Sequence, residues 1–516
     1  MSDTAMASKT EAGEFLGHPK GLYVLFFTEM WERFSYYGMR GLLIFYLTQH
    51  FLFSDQKSYA IYGAYTALVY LAPVLGGALA DRYLGARKAV TLGAILLVCG
   101  HLGMAFEGLP ATMAMIDGVN TVVRNEFYLQ VFYLSLALII TGVGFLKANI
   151  STIVGALYEK DDPRRDSGFT IFYMGINLGA FSAALLCGYL GQAVGWWAGF
   201  GAAGVGMVFG LIVFLKWQSL LGGHAEPRNP ELLKEKVFAG LNREILIYIG
   251  ALGAVAVFWQ LVQHQALVGQ LLGGFGAVVL AIILAYSFLK CTPEERDRMF
   301  VVSFLIFMSV IFWALFEQAG SSLNLLADRS VDRDVMGLTV QASQLQSLNA
   351  LFIFMLAPFF AMLWVYLARR GWEPNTPMKF SLAIAQVGLG FLVLVYGAGL
   401  AGDGGKIALI WIILLYLLHT TGELCLSPVG LSVVTKLSVA KMVGFMMGVW
   451  FLASAAANFI AGMIAKMTSA ESGMNGAEVL SRTMDVYTNV GLMALGIALA
   501  LAALSPLLKK GMHGVH

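Results

Sequence analysis

Glu29-Met30-Trp31-Glu32-Arg33-Phe34-Ser35-Tyr36-Tyr37-Gly38-Met39-Arg40 puts two carboxylates, two guanidinium groups and two phenols into an otherwise apolar segment. Hydrocarbon does not solvate charge, so a membrane-spanning helix keeps such groups off its lipid face and turns them toward protein or a water-filled cavity. At roughly 100° per residue, Glu29, Glu32, Arg33, Tyr36, Tyr37 and Arg40 fall within an arc of about 140°, one polar stripe. The stripe mixes acids that exchange protons with fixed positive charges that hold an anion. The plainer reading is a static ion cluster that only ties helices together.

The rest of the chain fits a membrane segment around that stripe. Of 516 residues, 58% are hydrophobic and 12% charged, against about 25% charged in a soluble domain. The mean hydropathy is +0.74. Apolar stretches long enough to cross a hydrocarbon layer of about 30 Å recur along the chain. They are read as fourteen transmembrane helices in an all-α integral membrane protein. The 58 glycines against 12 prolines suit closely packed membrane helices. A net charge of +2 points to no nucleic-acid partner. The start, Met1 to Lys20, is polar, so no cleavable signal peptide is expected. Cys99, Cys187, Cys291 and Cys425 have no CxxC spacing and read as packing residues, with no metal site expected. Of 33 Lys and Arg residues, 23 fall in the termini and even-numbered loops, 7 in the opposite loops and 3 within spans. The positive-inside rule then makes both termini cytoplasmic.

The largest polar connection, about 217–243, carries Pro227 and Pro230 and separates two halves. After it come two apolar segments joined by a very short turn at His264. The expected organisation is a six-helix bundle at 21–217, an inserted transmembrane hairpin at 244–290 and a second six-helix bundle at 298–508.

Lys147, in Gly144-Phe145-Leu146-Lys147-Ala148-Asn149, is a lone lysine in an apolar span. Glu317, after Trp313, is a lone acid in the other half, and a Lys147–Glu317 pair is expected. Glu423 lies mid-span beside Gly422 and close to Pro428, where a bent helix faces a cavity and a carboxylate receives an ammonium group. Arg40 and Lys147 on one side and Glu423 on the other define a dipolar site. Asn177 and Asn349 are placed to hydrogen-bond a ligand backbone or, equally, to glue helices. Tyr70, Trp313, Trp450 and Ser454 are weaker cavity candidates, since aromatics in spans mostly pack. His101 is a titratable residue in an apolar span. Gly76 to Lys88 reads as a gating and folding element in which Asp81 bridges a helix end to neighbouring arginines. No HExxH, GxSxG, phosphate loop or metal-ligand spacing is present, which argues against an enzyme.

These residues resemble the proton-dependent oligopeptide transporters of the major facilitator superfamily. The first span has an ExxERFxYYG pattern at Glu29 to Gly38, and the fifth an FYxxINxG-like pattern at Phe172 to Gly179. Trp313 with Glu317 to Leu323, and Gly422 to Pro428, supply two more. One departure is Ala148, where the family often has proline. The resemblance implies a major facilitator fold of two six-helix bundles plus the two-helix hairpin. It implies a monomer in the inner (plasma) membrane that imports di- and tripeptides, with the proton gradient and no cofactor as energy source. By position, Arg40 and Lys147 resemble anchors for the peptide carboxylate and Glu423 for its amino group. Tyr37, Tyr70, Asn177 and Asn349 resemble cavity contacts. Glu29, Glu32, Arg33, Lys147 and Glu317 resemble the proton-coupling network. A relative that moves nitrate or another small anion is the alternative, and Glu423 with the complete ExxER triplet counts against it. The conjunction of Arg40 and Lys147 disfavours a drug-efflux antiporter with a cationic substrate.

Overall fold

The computed structural model describes residues 13–159, 161–227, 229–401, 405–470 and 474–515. Lys9, Lys160 and Arg228, three of the basic residues used for the orientation, and the start of the chain up to residue 12 lie outside the described residues. The chain is nearly all helix. In order, the long helices are α1 (Lys20–Phe45), α2 (Asp55–Leu79), α3 (Ala86–Ala105), α4 (Glu126–Ala156), α5 (Arg165–Tyr189) and α6 (Trp196–Trp217). A short α7 (Pro230–Lys234) lies in the polar connection, followed by α8 (Arg243–Gln263) and α9 (Gln265–Lys290). Then come α10 (Pro293–Phe316), the short α11 (Ser322–Ser330), α12 (Ser347–Arg369), α13 (Thr376–Leu400), α14 (Leu409–Leu437), α15 (Val443–Met467) and α16 (Gly476–Gly511).

Thirteen helical segments among the described residues are long and apolar enough to cross a membrane. Helix α1 is the fourteenth. Its length suffices, and the difference is its charge: Glu29, Glu32, Arg33 and Arg40 are all buried. The chain is therefore a multi-pass helical membrane protein of fourteen spans. Helix starts are fixed by side chains that occupy otherwise unsatisfied amides. Asn125 accepts from the amides of Phe127 and Tyr128 at the head of α4. Thr292 and Glu295 form a reciprocal box at α10, with Pro293 in its first turn.

By internal contacts the chain divides into two compact units. The first comprises the segments ending at Leu42, Leu71–Pro110 and Val123–Gln263. The second comprises Leu43–Tyr70, Ala111–Val122 and everything from His264 on. The second unit thus includes the far end of α1 and most of α2. Of the hairpin pair, α8 packs on α4 in the first unit, and α9 packs on α10 and α15 in the second.

Glycine seams set the first unit. Helices α1 and α5 run in the same direction, with Phe26 over Gly175, Met30 and Arg33 over Gly179, and Gly38 against Cys187. A Cβ at Gly38 would lie 2.6 Å from the Cys187 sulfur. On α4, Gly142 meets Gly93 of α3, and Gly144 meets Ala72 and Gly76 of α2. These contacts place the middle of α1 and the middle of α4 inside the unit, where their charges belong.

The Gly76–Lys88 element differs from expectation in its partners. Asp81 is exposed. Arg87 instead grips Glu226 with two guanidinium nitrogens and donates to Gln218, and Lys88 donates to both oxygens of Glu244 at 2.7 Å. Gly85 turns there with φ 76°, and a Cβ would strike the backbone of Pro227. The element is thus stapled to the polar connection and to α8.

A Cβ at Gly76 would collide with the carbonyl oxygen of Gly144, a backbone atom with no rotamer to yield. Gly76→Ala is expected to cost about 1–3 kcal/mol, read as a lower unfolding midpoint in detergent. An unchanged midpoint would show that the α2–α4 seam is not tight.

Candidate functional site

In the first unit, α1 delivers the site. Its charged residues recur at three- and four-residue spacing, so they share one face. The Glu29 carboxylate lies 3.0 Å from Arg33 Nε, and Glu32 lies on the same nitrogen at 2.5 Å. All three side chains are buried. The Arg33 guanidinium stands 5.7 Å from the Tyr36 ring centroid, and Tyr36 meets Tyr37 edge to face at 5.3 Å. Arg40 is buried one to two turns further along. Lys147 comes from α4, and the charges acting on it are those of Arg33, Glu32, Glu29 and Arg40. Both acids that act on Lys147 electrostatically, Glu29 and Glu32, come from α1.

Helix α4 runs without a break through 31 residues, and Asn149 donates to the Phe145 carbonyl at 2.7 Å. Ala148 in place of proline keeps the backbone ladder intact beside Lys147. Asn177 is buried on α5 and donates one amide hydrogen back to the Tyr173 carbonyl at 3.0 Å, which leaves its second N–H and its carbonyl oxygen to offer. His101 is fully buried on α3 next to Gly204, and neither ring nitrogen has a hydrogen-bond partner among the described residues. No carboxylate among the described residues hydrogen-bonds its ring.

In the second unit, α10 ends at Phe316 and the chain tightens into a single 3₁₀ turn at Glu317–Gly320 before α11. That break holds Glu317 and Gln318 buried. Glu423 lies in the middle of α14, where Pro428 sits inside the helix. Asn349 of α12 spends both amide hydrogens there, donating to Glu423 Oε2 at 2.9 Å and to Thr420 Oγ1 at 3.1 Å. Glu317 acts on Glu423 electrostatically as a like charge. Asn349 and Glu423, expected as separate contacts, are therefore one hydrogen-bonded pair.

Trp313 packs edge-on against Phe312 and Phe316. Trp450 lays its ring on Gly430 of α14, and Ser454 donates back to the Trp450 carbonyl at 3.0 Å. Tyr37 and Tyr70 are half-buried, Tyr37 in the first unit and Tyr70 in the second.

Sequence reasoning missed a chain of neutral groups beside Glu317. Tyr487 donates to Ser322 Oγ at 2.8 Å, Ser322 donates to Gln318 Oε1 at 2.6 Å, and Gln318 Nε2 donates to the Ala314 and Ala461 carbonyls at 3.0 Å each. It also missed a cluster of charged and polar groups at the far ends of the helices. Arg329 holds Asp55 through both nitrogens at 2.6 and 2.8 Å, and Gln49 and Arg333 both reach Asp328. The signal available was the pairing of opposite charges at span ends, which does not name the partners.

Acids and bases buried inside the spans of a fourteen-helix protein mark a functional membrane protein, and paths for ions or solutes are one main use of such groups. The sequence pattern of the POT family (PTR2) matches residues 87–480. The chain is 38% identical over 511 residues to the uncharacterized transporter YclF of Bacillus subtilis, covering 97% of this chain and 96% of that one. It is 35% identical over 487 residues to a di-/tripeptide transporter of Lactococcus lactis, covering 90% and 92%. Among solved structures, a mutant of a peptide transporter POT in complex with alafosfalin superposes with a TM-score of 0.82 at 36% identity, covering 98% of each chain. The chain belongs to the POT family.

Gln318 satisfies two carbonyls and one hydroxyl at once. Gln318→Leu strands these buried groups and is expected to cost about 1–3 kcal/mol, measured as a lower unfolding midpoint of the purified protein. A midpoint equal to the parent's would mean that the chain contributes nothing net.

Proposed function

We propose that this protein is a proton-coupled symporter that imports di- and tripeptides across the plasma membrane by alternating access, with both termini in the cytoplasm. The observation that carries the reading is the charge balance around Lys147. Arg33, Arg40 and Lys147 supply three positive charges, and Glu29 and Glu32 supply two negative ones when both are ionised. Over these five groups the positive charges exceed the negative by one, and a peptide carboxylate matches that excess. A proton taken by either glutamate frees a second positive charge. Carboxylate binding and proton binding therefore favour each other, and that linkage is what symport requires. Glu29 and Glu32 share Arg33, so the proton belongs to the pair.

The second unit has the opposite bias. There Glu423 accepts a hydrogen bond from the Asn349 carboxamide, which orients it, and Glu317 acts on it as a like charge. In this reading Arg40 and Lys147 take the peptide carboxylate and Glu423 takes the amino terminus. Tyr37, Tyr70, Asn177, Asn349, Trp313, Trp450 and Ser454 contact the peptide between its ends. Glu317 pairs with Lys147 in part of the cycle and releases it when a proton or a substrate carboxylate competes. The names of the relatives, among them a di-/tripeptide transporter, support the substrate class. A small-anion transporter would have no use for Glu423.

Proteoliposomes with an inward proton gradient are expected to accumulate labelled dialanine, with excess tripeptide competing and free alanine not. Lys147→Ala is expected to abolish the uphill component, and full gradient-driven uptake in that variant would sink the coupling scheme. Glu423→Gln is expected to lower dialanine uptake by about tenfold or more, since losing one partner of a buried charge pair costs about 2–5 kcal/mol. Nitrate uptake that survives this change, with no peptide uptake in the parent, would favour the small-anion reading.

A further inference from the structure

We propose that the cleft where α2, α9 and α15 meet at the membrane boundary binds the phosphate-bearing headgroup of an anionic phospholipid. The cleft has a volume of about 380 Å³ and is lined by the first turn of α2, the first turn of α9 and the last turns of α15. Two lysines face it, Lys57 and Lys466, and among the described residues no aspartate or glutamate does. The nearest acid in sequence, Asp55, is already held by both nitrogens of Arg329. Lys57 has a neutral partner there, donating to Gln265 Oε1 at 2.8 Å. The two ammonium groups act on each other as like charges. Like charges gathered without a counter-ion are unfavourable until an anion enters, and the cleft is built to receive one.

Its backbone carries the same sign. The N-termini of α2 and α9 both open onto the cleft, through Ser54 and Gln56 on one side and Gln265 and Ala266 on the other. Ser54 Oγ already caps the Lys57 amide at 3.3 Å, and the positive ends of the two helices add to the two lysines in attracting an anion. Ser54 and the two glutamines supply neutral hydrogen-bonding groups for the remaining oxygens of a phosphodiester.

The surroundings select a lipid over a soluble anion. Ala266 and Leu267 of α9 are exposed, as are Ile460, Met463 and Met467 along one stripe of α15. In a fourteen-span protein those faces meet acyl chains. A phospholipid lays its chains on that stripe and its phosphate between the lysines, at the depth where headgroups lie. The bound headgroup then ties three helices together beside the point where Gly63 of α2 and Gly462 of α15 touch. By the distribution of basic residues this boundary is the outer one, and Lys57 and Lys466 are two of its seven basic residues.

The test is thermal unfolding of the full-length protein in detergent, titrated separately with phosphatidylglycerol, phosphatidylcholine and inorganic phosphate. A ligand that binds only the folded state raises the midpoint saturably. Phosphatidylglycerol is expected to raise it, and the other two are not. Lys57→Gln combined with Lys466→Gln is expected to remove that increment while leaving the lipid-free midpoint unchanged, and to retain one phosphatidylglycerol fewer in native mass spectrometry. Equal stabilisation by phosphatidylcholine or by inorganic phosphate overturns the headgroup assignment. An undiminished increment in the double variant overturns the site. If the double variant does not fold, Gln265→Glu sets a carboxylate beside Lys57 and is expected to weaken the phosphatidylglycerol effect, and an unaltered effect there overturns the site as well.

Discussion

A charge in hydrocarbon has to meet its opposite, and Arg33 does so with two carboxylates at once. Without Glu29 and Glu32 on the same helix face, α1 would carry a bare guanidinium through the membrane. With them it crosses, on condition that the whole face stays inside protein. That condition propagates. Helix α5 supplies Gly175 and Gly179 where α1 must come close, and α4 supplies Gly142 and Gly144 so that α2 and α3 can close over the span carrying Lys147. The glycines and the charges are thus one feature. Small residues make the enclosure tight, and the enclosure makes the charges tolerable.

The two units solve the same solvation problem differently. In the first, carboxylates meet guanidinium and ammonium groups. In the second, Glu423 meets the carboxamide of Asn349, and a neutral chain runs from Tyr487 to Gln318. A neutral donor orients a carboxylate without cancelling its charge. Around Lys147 the carboxylates of α1 are thus set against cations of the same unit, whereas Glu423 is held by a neutral carboxamide.

Much of this was legible in the chain because hydrocarbon makes every charge informative. Glu29, Glu32, Arg33, Arg40, Lys147, Glu317 and Glu423 stand out from apolar surroundings, and the structure buries each of them wholly or in part. The fourteen spans follow from length and hydropathy, α1 included once its charges are read as internal. What sequence could not show were partners distant along the chain. Arg87 finds Glu226 across 139 residues and leaves Asp81, the nearer acid, at the surface. Neutral polar residues were harder still. Asn177 satisfies itself on its own helix, while Asn349 reaches across to α14. Both are asparagines in apolar spans, and only the packing of neighbouring helices decides between the two outcomes.

The chain beside Glu317 also has a direction. The hydrogens point from α16 by way of Ser322 and Gln318 to α10 and α15, where the last acceptors are the peptide carbonyls of Ala314 and Ala461. Hopping conduction needs members that can both take up and release a proton. A carboxamide and a peptide carbonyl do neither at ordinary pH. The chain is thus an electrical dead end. It aligns dipoles and stiffens the junction of three helices, but it carries no current. A proton entering at Tyr487 therefore finds no way past Gln318 along this string.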